Sequence, residues 1–197
     1  MNSLQHTPSP SHRSARCAAR RSPRGFTLIE AAVTLAILAV LVCGAAPSFQ
    51  GLIERQRLAG LAAQVATDVQ FVRHESILRN EALRLSFYSA AWGTCYVVHS
   101  GARSECACAE ASPAAICTAD AVQVKTVVVA ASAGLSVQAN VASILFDPLH
   151  GTSTPTGTLQ VVSASVGSVH HVVNLLGRVR TCSPDGPVPA VPGYRVC

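Results

Sequence analysis

The chain is short of aromatics and of acids. Of its 197 residues only 5% are Phe, Trp or Tyr, and ten are Asp or Glu against fifteen Lys or Arg. Few rings are there to stack bases, and near the C-terminal end Tyr194 alone stands in reach. There is no Gly-rich phosphate loop and no nucleophile motif. That excludes the common phosphoryl- and acyl-transfer enzymes, and no cofactor, metal ion or small-molecule substrate is expected. The adjacent His170 and His171 do not restore a catalytic reading, because neighbours on a strand face opposite sides. No internal repeat is present. No acid at all precedes Glu30, whereas Arg13, Arg16, Arg20, Arg21 and Arg24 do. Those five arginines account for the whole formal charge of +5, since ten basic and ten acidic residues follow Gly25. Binding of a polyanion must then rest on local clustering, not on net charge.

What is there, first, is an apolar run from Phe26 to Ala46 whose only charge is Glu30. As a helix it spans about 31 Å, one hydrocarbon core. The basic flank is expected to stay cytoplasmic and the C-terminal bulk to be exported. A cleaved secretory signal competes with this reading, because Ala45, Ala46 and Ser48 imitate a small-residue cleavage site. A carboxylate in lipid costs several kcal/mol unless it is paired, which marks Glu30 as functional. Gly44 and Pro47 are expected to loosen or kink the helix.

Gly25-Phe26-Thr27-Leu28-Ile29-Glu30 behind an arginine-rich leader resembles the type III signal of type IV pilins and type II secretion pseudopilins. The resemblance implies that a prepilin peptidase cuts between Gly25 and Phe26, removing leader 1–25, and that Phe26 is N-methylated. It implies a transmembrane helix over 26–46 and assembly with other pilin or pseudopilin subunits. On stacking, the new α-amino group of Phe26 in one subunit would neutralise Glu30 of its neighbour.

Residues 47–80 read as an amphipathic continuation of the helix. Leu58, Leu61, Val65, Val69 and Val72 recur at three- and four-residue spacing. From 81 to 197 the pattern turns to period two, and strands are predicted at 83–87, 94–99, 122–130, 142–146, 158–164, 168–176 and 178–182. The Ala- and Cys-rich stretch 101–120 reads as a disulfide-held loop. Of eight cysteines, Cys17 lies in the leader and Cys43 in the apolar run. Cys182 and Cys197 bracket a Pro/Gly-rich tail and form the natural pair. Cys95, Cys106, Cys108 and Cys117 allow three pairings. A zinc site on Cys106, Cys108 and Cys117 fits the spacing, but exported thiols oxidise.

The second informative stretch is Gly177-Arg178-Val179-Arg180. In a strand Arg178 and Arg180 share a face, roughly 6.6 Å apart. A Cys182–Cys197 bond would return Arg195 beside them, against the single acid Asp185. Guanidinium groups suit phosphate oxygens, and a closed loop lowers the ordering cost of presenting them. Here the chain resembles the GspH/FimT family of minor pilins and pseudopilins. Its FimT-like members carry a C-terminal glycine-arginine-any-arginine motif that binds DNA during natural transformation. The implied fold is α+β, a long N-terminal helix packed on an antiparallel β-sandwich-like domain. The implied place is the inner membrane, crossed once, with the C-terminal domain in the periplasm, and the pilus fibre after assembly. DNA would be bound without sequence preference through Arg178, Arg180 and Arg195. The other reading is a structural, GspH-like pseudopilin of a type II secretion system, or a pilus-tip priming subunit, whose arginines only guard an edge strand.

Overall fold

The computed structural model describes residues 25–109, 112, 114–118 and 120–197, with residues 45–48 described by their backbone alone. The leader arginines and Cys17 lie outside the described residues. The chain divides into two compact units, Met1–Gly44 and Ala45–Cys197.

A single 52-residue helix, α1 (Leu28–Arg79), belongs to both units. Thr27 opens it: its side-chain oxygen accepts from the Glu30 amide at 3.3 Å and its carbonyl from the Ala31 amide at 3.1 Å. In the first unit Leu28, Ile29, Leu35, Ile37, Leu38 and Val40 are all exposed. Apart from Glu30 and Thr34 the segment has no polar stripe, which is the pattern of a lipid-facing segment. Among the described residues no single helix is long and apolar enough to cross a membrane. Leu28–Gly44 passes only together with the stretch from Phe49. The kink expected at Pro47 falls on residues whose side chains are outside the described set.

In the second unit α1 buries Leu58, Ala62, Val65, Val69 and Val72, a stripe at alternating four- and three-residue steps. The helix stops at Asn80, whose φ of 51° is left-handed. The Glu81 amide returns to the Ser76 carbonyl at 3.1 Å and the Asn80 amide to Ile77 at 3.2 Å, a Schellman closure.

Two antiparallel sheets follow. The first has β5 (Gln123–Ala130), β2 (Gly93–Ser100), β1 (Leu83–Ala90), β7 (Ser143–Phe146) and β8 (Ser153–Thr154), in that spatial order. The second runs β11 (Val179–Cys182), β10 (Gly167–Val173), β9 (Gly157–Ser163), β6 (Leu135–Ala139). Leu83, Leu85, Phe146, Leu159, Val161, Val169 and Val173 meet the helix stripe in one core. The architecture is α+β with antiparallel sheets, as the sequence implied.

Several boundaries differ from the sequence reading. Strand β6 was not expected. Strand β10 ends at Val173, not 176, because Asn174 starts a turn that Gly177 closes at φ 67°. The stretch 101–120 is more than a loop: it carries a hairpin, β3 (Cys106–Cys108) with β4 (Ala115–Cys117). Two disulfides, Cys95–Cys108 and Cys106–Cys117, fasten that hairpin and settle the open pairing. All three thiols of the weighed zinc site are therefore consumed. The helix is also tied to the first sheet by polar contacts. Asp68 is buried and accepts from the Tyr96 hydroxyl at 2.7 Å and the Lys125 ammonium at 2.6 Å. Burial, then the Asp68 carboxylate, push the Tyr96 hydroxyl well above the usual phenol range.

Candidate functional site

The site is built where the tail folds back on the edge strand. Cys182 and Cys197 are joined, with Cα atoms 4.9 Å apart. Ser183 organises the return. Its amide donates to the Arg195 carbonyl at 2.8 Å, and its carbonyl accepts from the Cys197 amide at 3.1 Å. Its hydroxyl donates to the Ser168 carbonyl at 2.7 Å and accepts from the Val191 amide at 2.9 Å. Val191 is itself buried in the core, so the Pro-rich tail is anchored at its middle as well as its end.

This return brings Arg195 beside Arg180. Both line one open cavity of about 580 Å³ together with Val172, Thr181, Cys182, Val196 and Cys197. Arg180 lies directly opposite Val172 across the β10–β11 ladder. Arg178, Arg180 and Arg195 are all exposed, and none makes an ion pair among the described residues. Asp185, expected as their counter-charge, is exposed and likewise unpaired there.

Arg178 lies just before the strand that carries Arg180. Strand β11 begins only at Val179. Arg178 closes the preceding turn: its carbonyl accepts from the Asn174 amide at 3.1 Å and its amide donates to the Asn174 side-chain oxygen at 2.9 Å. The left-handed Gly177 and the Asn174 side chain hold the chain in that turn. Arg180 and Arg195 line the cavity and Arg178 does not. Val172, Thr181 and Val196 were missed from sequence. Their signal was cross-strand register, visible only once β10 and β11 are paired.

The two histidines divide as alternation demands. His171 is 1% exposed, with Nδ1 2.9 Å from the Thr181 hydroxyl. Burial lowers its pKa to about 4; the nearby Ala62 backbone acts against the shift and His170 slightly with it. His170 lies on the outer face, half-buried, with its pKa also lowered by burial.

At the other end of the chain, Phe26 is 86% exposed and Glu30 sits in the first turn of α1. Among the described residues no atom lies within 4 Å of where a Cβ on Gly25 would stand. Thr27 is a residue that sequence reasoning passed over, although Thr-x-x-Glu is a capping-box pattern.

A long N-terminal helix whose first part is apolar but for Glu30 and Thr34, followed by two antiparallel sheets and a fastened tail, defines a pilin-type subunit. Residues 61–177 match the family described as Type II transport protein GspH, and residues 20–46 match the Prokaryotic N-terminal methylation motif. The first match covers more than half of the chain, and the protein belongs to that family of GspH/FimT-type pilins and pseudopilins. No curated protein and no solved structure matches it. Such families are structural subunits and not enzymes. They are membrane-anchored, matured by a prepilin peptidase and assembled with other pilin subunits.

Proposed function

We propose that the chain is a minor type IV pilin that captures DNA for uptake in natural transformation. It is cut between Gly25 and Phe26, methylated on Phe26 and held in the inner membrane by a single span over 26–46. Its β-rich domain stands in the periplasm until the subunit enters the fibre. There Glu30 pairs with the Phe26 amine of a neighbour. DNA meets Arg180 and Arg195 in their shared cavity and Arg178 on the adjoining turn. The cavity shared by two arginines that make no ion pair among the described residues is the observation that carries this reading, because charge alone does not: the chain after Gly25 is formally neutral.

Contact with about two to three phosphates gives a slope of log K on log salt near −2 to −3. So few contacts bind in the micromolar range or weaker, and capture then relies on several subunits along one DNA. The test is fluorescence anisotropy of the full chain in detergent with a labelled duplex. Arg178→Gln/Arg180→Gln/Arg195→Gln should lose binding and DNA uptake while piliation persists. Arg55→Gln/Arg57→Gln, on an exposed part of α1, should keep both.

A second reading has its own support. The matched description names type II transport, and the match stops at Gly177, before the first of the arginines. A structural pseudopilin or tip-priming subunit would need those arginines only to guard the sheet edge. Equal binding by the two variant proteins would favour it.

A further inference from the structure

The outer face of the second sheet carries no carboxylate. Strands β6, β9, β10 and β11 contain neither Asp nor Glu at any position. Their inward residues fill the core, so the outward ones are fixed by register. Gln138 pairs with Gln160, Gln160 with His170 and His170 with Cys182, a continuous row across all four strands. In the next row Thr158, Val172 and Arg180 stand side by side. Gln138 is exposed, and Gln160 and His170 are half-buried. An ordinary solvated face mixes charges of both signs. This one offers amides and an imidazole, with positive charge at one margin only.

We infer that the DNA backbone continues from the arginine cavity across this face, with Gln138, Gln160 and His170 as further contact residues. The inference rests on the DNA reading given above. Its physical basis is continuity and charge. Arg180 belongs to the cavity and to the face at once, and Val172, its cross-strand neighbour, lines the same cavity. A polyanion leaving the cavity in this direction meets side chains that can donate hydrogen bonds and no acid on the strands themselves. From Gln138 to Cys182 the row covers three inter-strand steps, about 14 Å. That is the axial reach of about four phosphates on one DNA strand. Amide side chains can donate to phosphate oxygens without reading a base, so the face adds affinity and no sequence preference.

The experiment uses the full chain in detergent and a fluorescein-labelled 30-base-pair duplex. Gln138→Glu/Gln160→Glu places two acids on the row and should weaken binding at least tenfold. Gln50→Glu/Gln64→Glu makes the same change in net charge on exposed positions of α1 and should alter binding less than twofold. Gln138→Lys/Gln160→Lys should tighten binding about fivefold and steepen the salt slope by one to two. The lysine variant guards against a loss that merely reports misfolding, because a damaged domain does not gain affinity. If unaltered protein binds and the arginine variants lose binding, but the row and helix variants behave alike, the track is wrong and the arginine cavity stands. If unaltered protein binds no DNA, both readings fall together.

Discussion

Arg195 stands beside Arg180 because Cys197 is bonded to Cys182 and the Ser183 amide holds the Arg195 carbonyl at 2.8 Å. The bond closes a loop with a sequence separation of 15 residues. In the chain-entropy account such a loop contributes about 3 kcal/mol. Cys182→Ser/Cys197→Ser should lower the stability of the domain by roughly that amount in urea titrations. It should also weaken DNA binding to the level of Arg195→Gln alone. Unchanged affinity in a protein shown to lack the bond would mean that Arg195 is held by the Ser183 pairing without the disulfide.

Asp68 is the second point at which one residue organises others. It is 3% exposed and accepts from both Tyr96 and Lys125. Asp68→Asn keeps an acceptor for the Tyr96 hydroxyl but leaves Lys125, which is partly exposed, without its charge partner. A loss of about 1–2 kcal/mol is expected. Asp68→Leu strands the buried hydroxyl as well and should cost about 3 kcal/mol or more. Adding Tyr96→Phe should recover part of the second loss and little of the first. Chemical denaturation of the four proteins measures all of it.

The helix stripe was legible because its spacing is a one-dimensional signal. Leu58, Val65, Val69 and Val72 are buried where the period put them. The β1, β2, β5 and β9 strands were legible from alternation and punctuation by Gly and Pro. Strand β6 was not, because Leu135–Ala139 is short and mixes small and polar side chains. The pairing of Cys95 with Cys108 depends on β2 lying under the β3–β4 hairpin, which no local pattern encodes. The candidate site was half legible. Motif reading found the arginines, but that Arg180 and Arg195 line one cavity depends on the tail folding back on β11, which no local pattern encodes.

Mild acid should destabilise the domain through its buried histidines. His171 has its pKa lowered to about 4 by burial, and burial also lowers His99 and His170. A histidine with a depressed folded-state pKa favours folding fully above its unfolded value near 6.5 and loses that contribution as pH falls toward 4. For His171 alone the loss is about 2 kcal/mol between pH 7.5 and 5. Urea midpoints at the two pH values read it directly. His171→Gln should flatten the dependence, whatever it does to stability at neutral pH.

Processing gives a mass. Maturation between Gly25 and Phe26 with methylation of Phe26 predicts one intact mass for protein extracted from membranes. A bulky residue in place of Gly25 should block cutting, and the intact mass would then include the leader. A mass ending the leader at Ala46 would instead make the apolar run a secretory signal.

The last prediction separates two roles for Glu30. Its amide donates to the Thr27 hydroxyl, and Thr-x-x-Glu is a pattern in which the glutamate also helps to start a helix. Capping works equally well with glutamine, which keeps length and hydrogen-bonding capacity. Pairing with a neighbour's Phe26 amine does not, because it needs the negative charge. Glu30→Gln should therefore leave α1, membrane insertion and cleavage after Gly25 unchanged. Incorporation into sheared fibres should fall at least tenfold, since an unpaired ammonium in the bilayer costs about 2.5–3.5 kcal/mol. Glu30→Leu should fail in the same way, with insertion no worse because a charge has left the lipid. Quantitative immunoblots of fibre and membrane fractions, with the intact mass as a check on cleavage, decide between the roles. Normal incorporation of Glu30→Gln would leave capping as the sufficient role and remove the inter-subunit ion pair from the account.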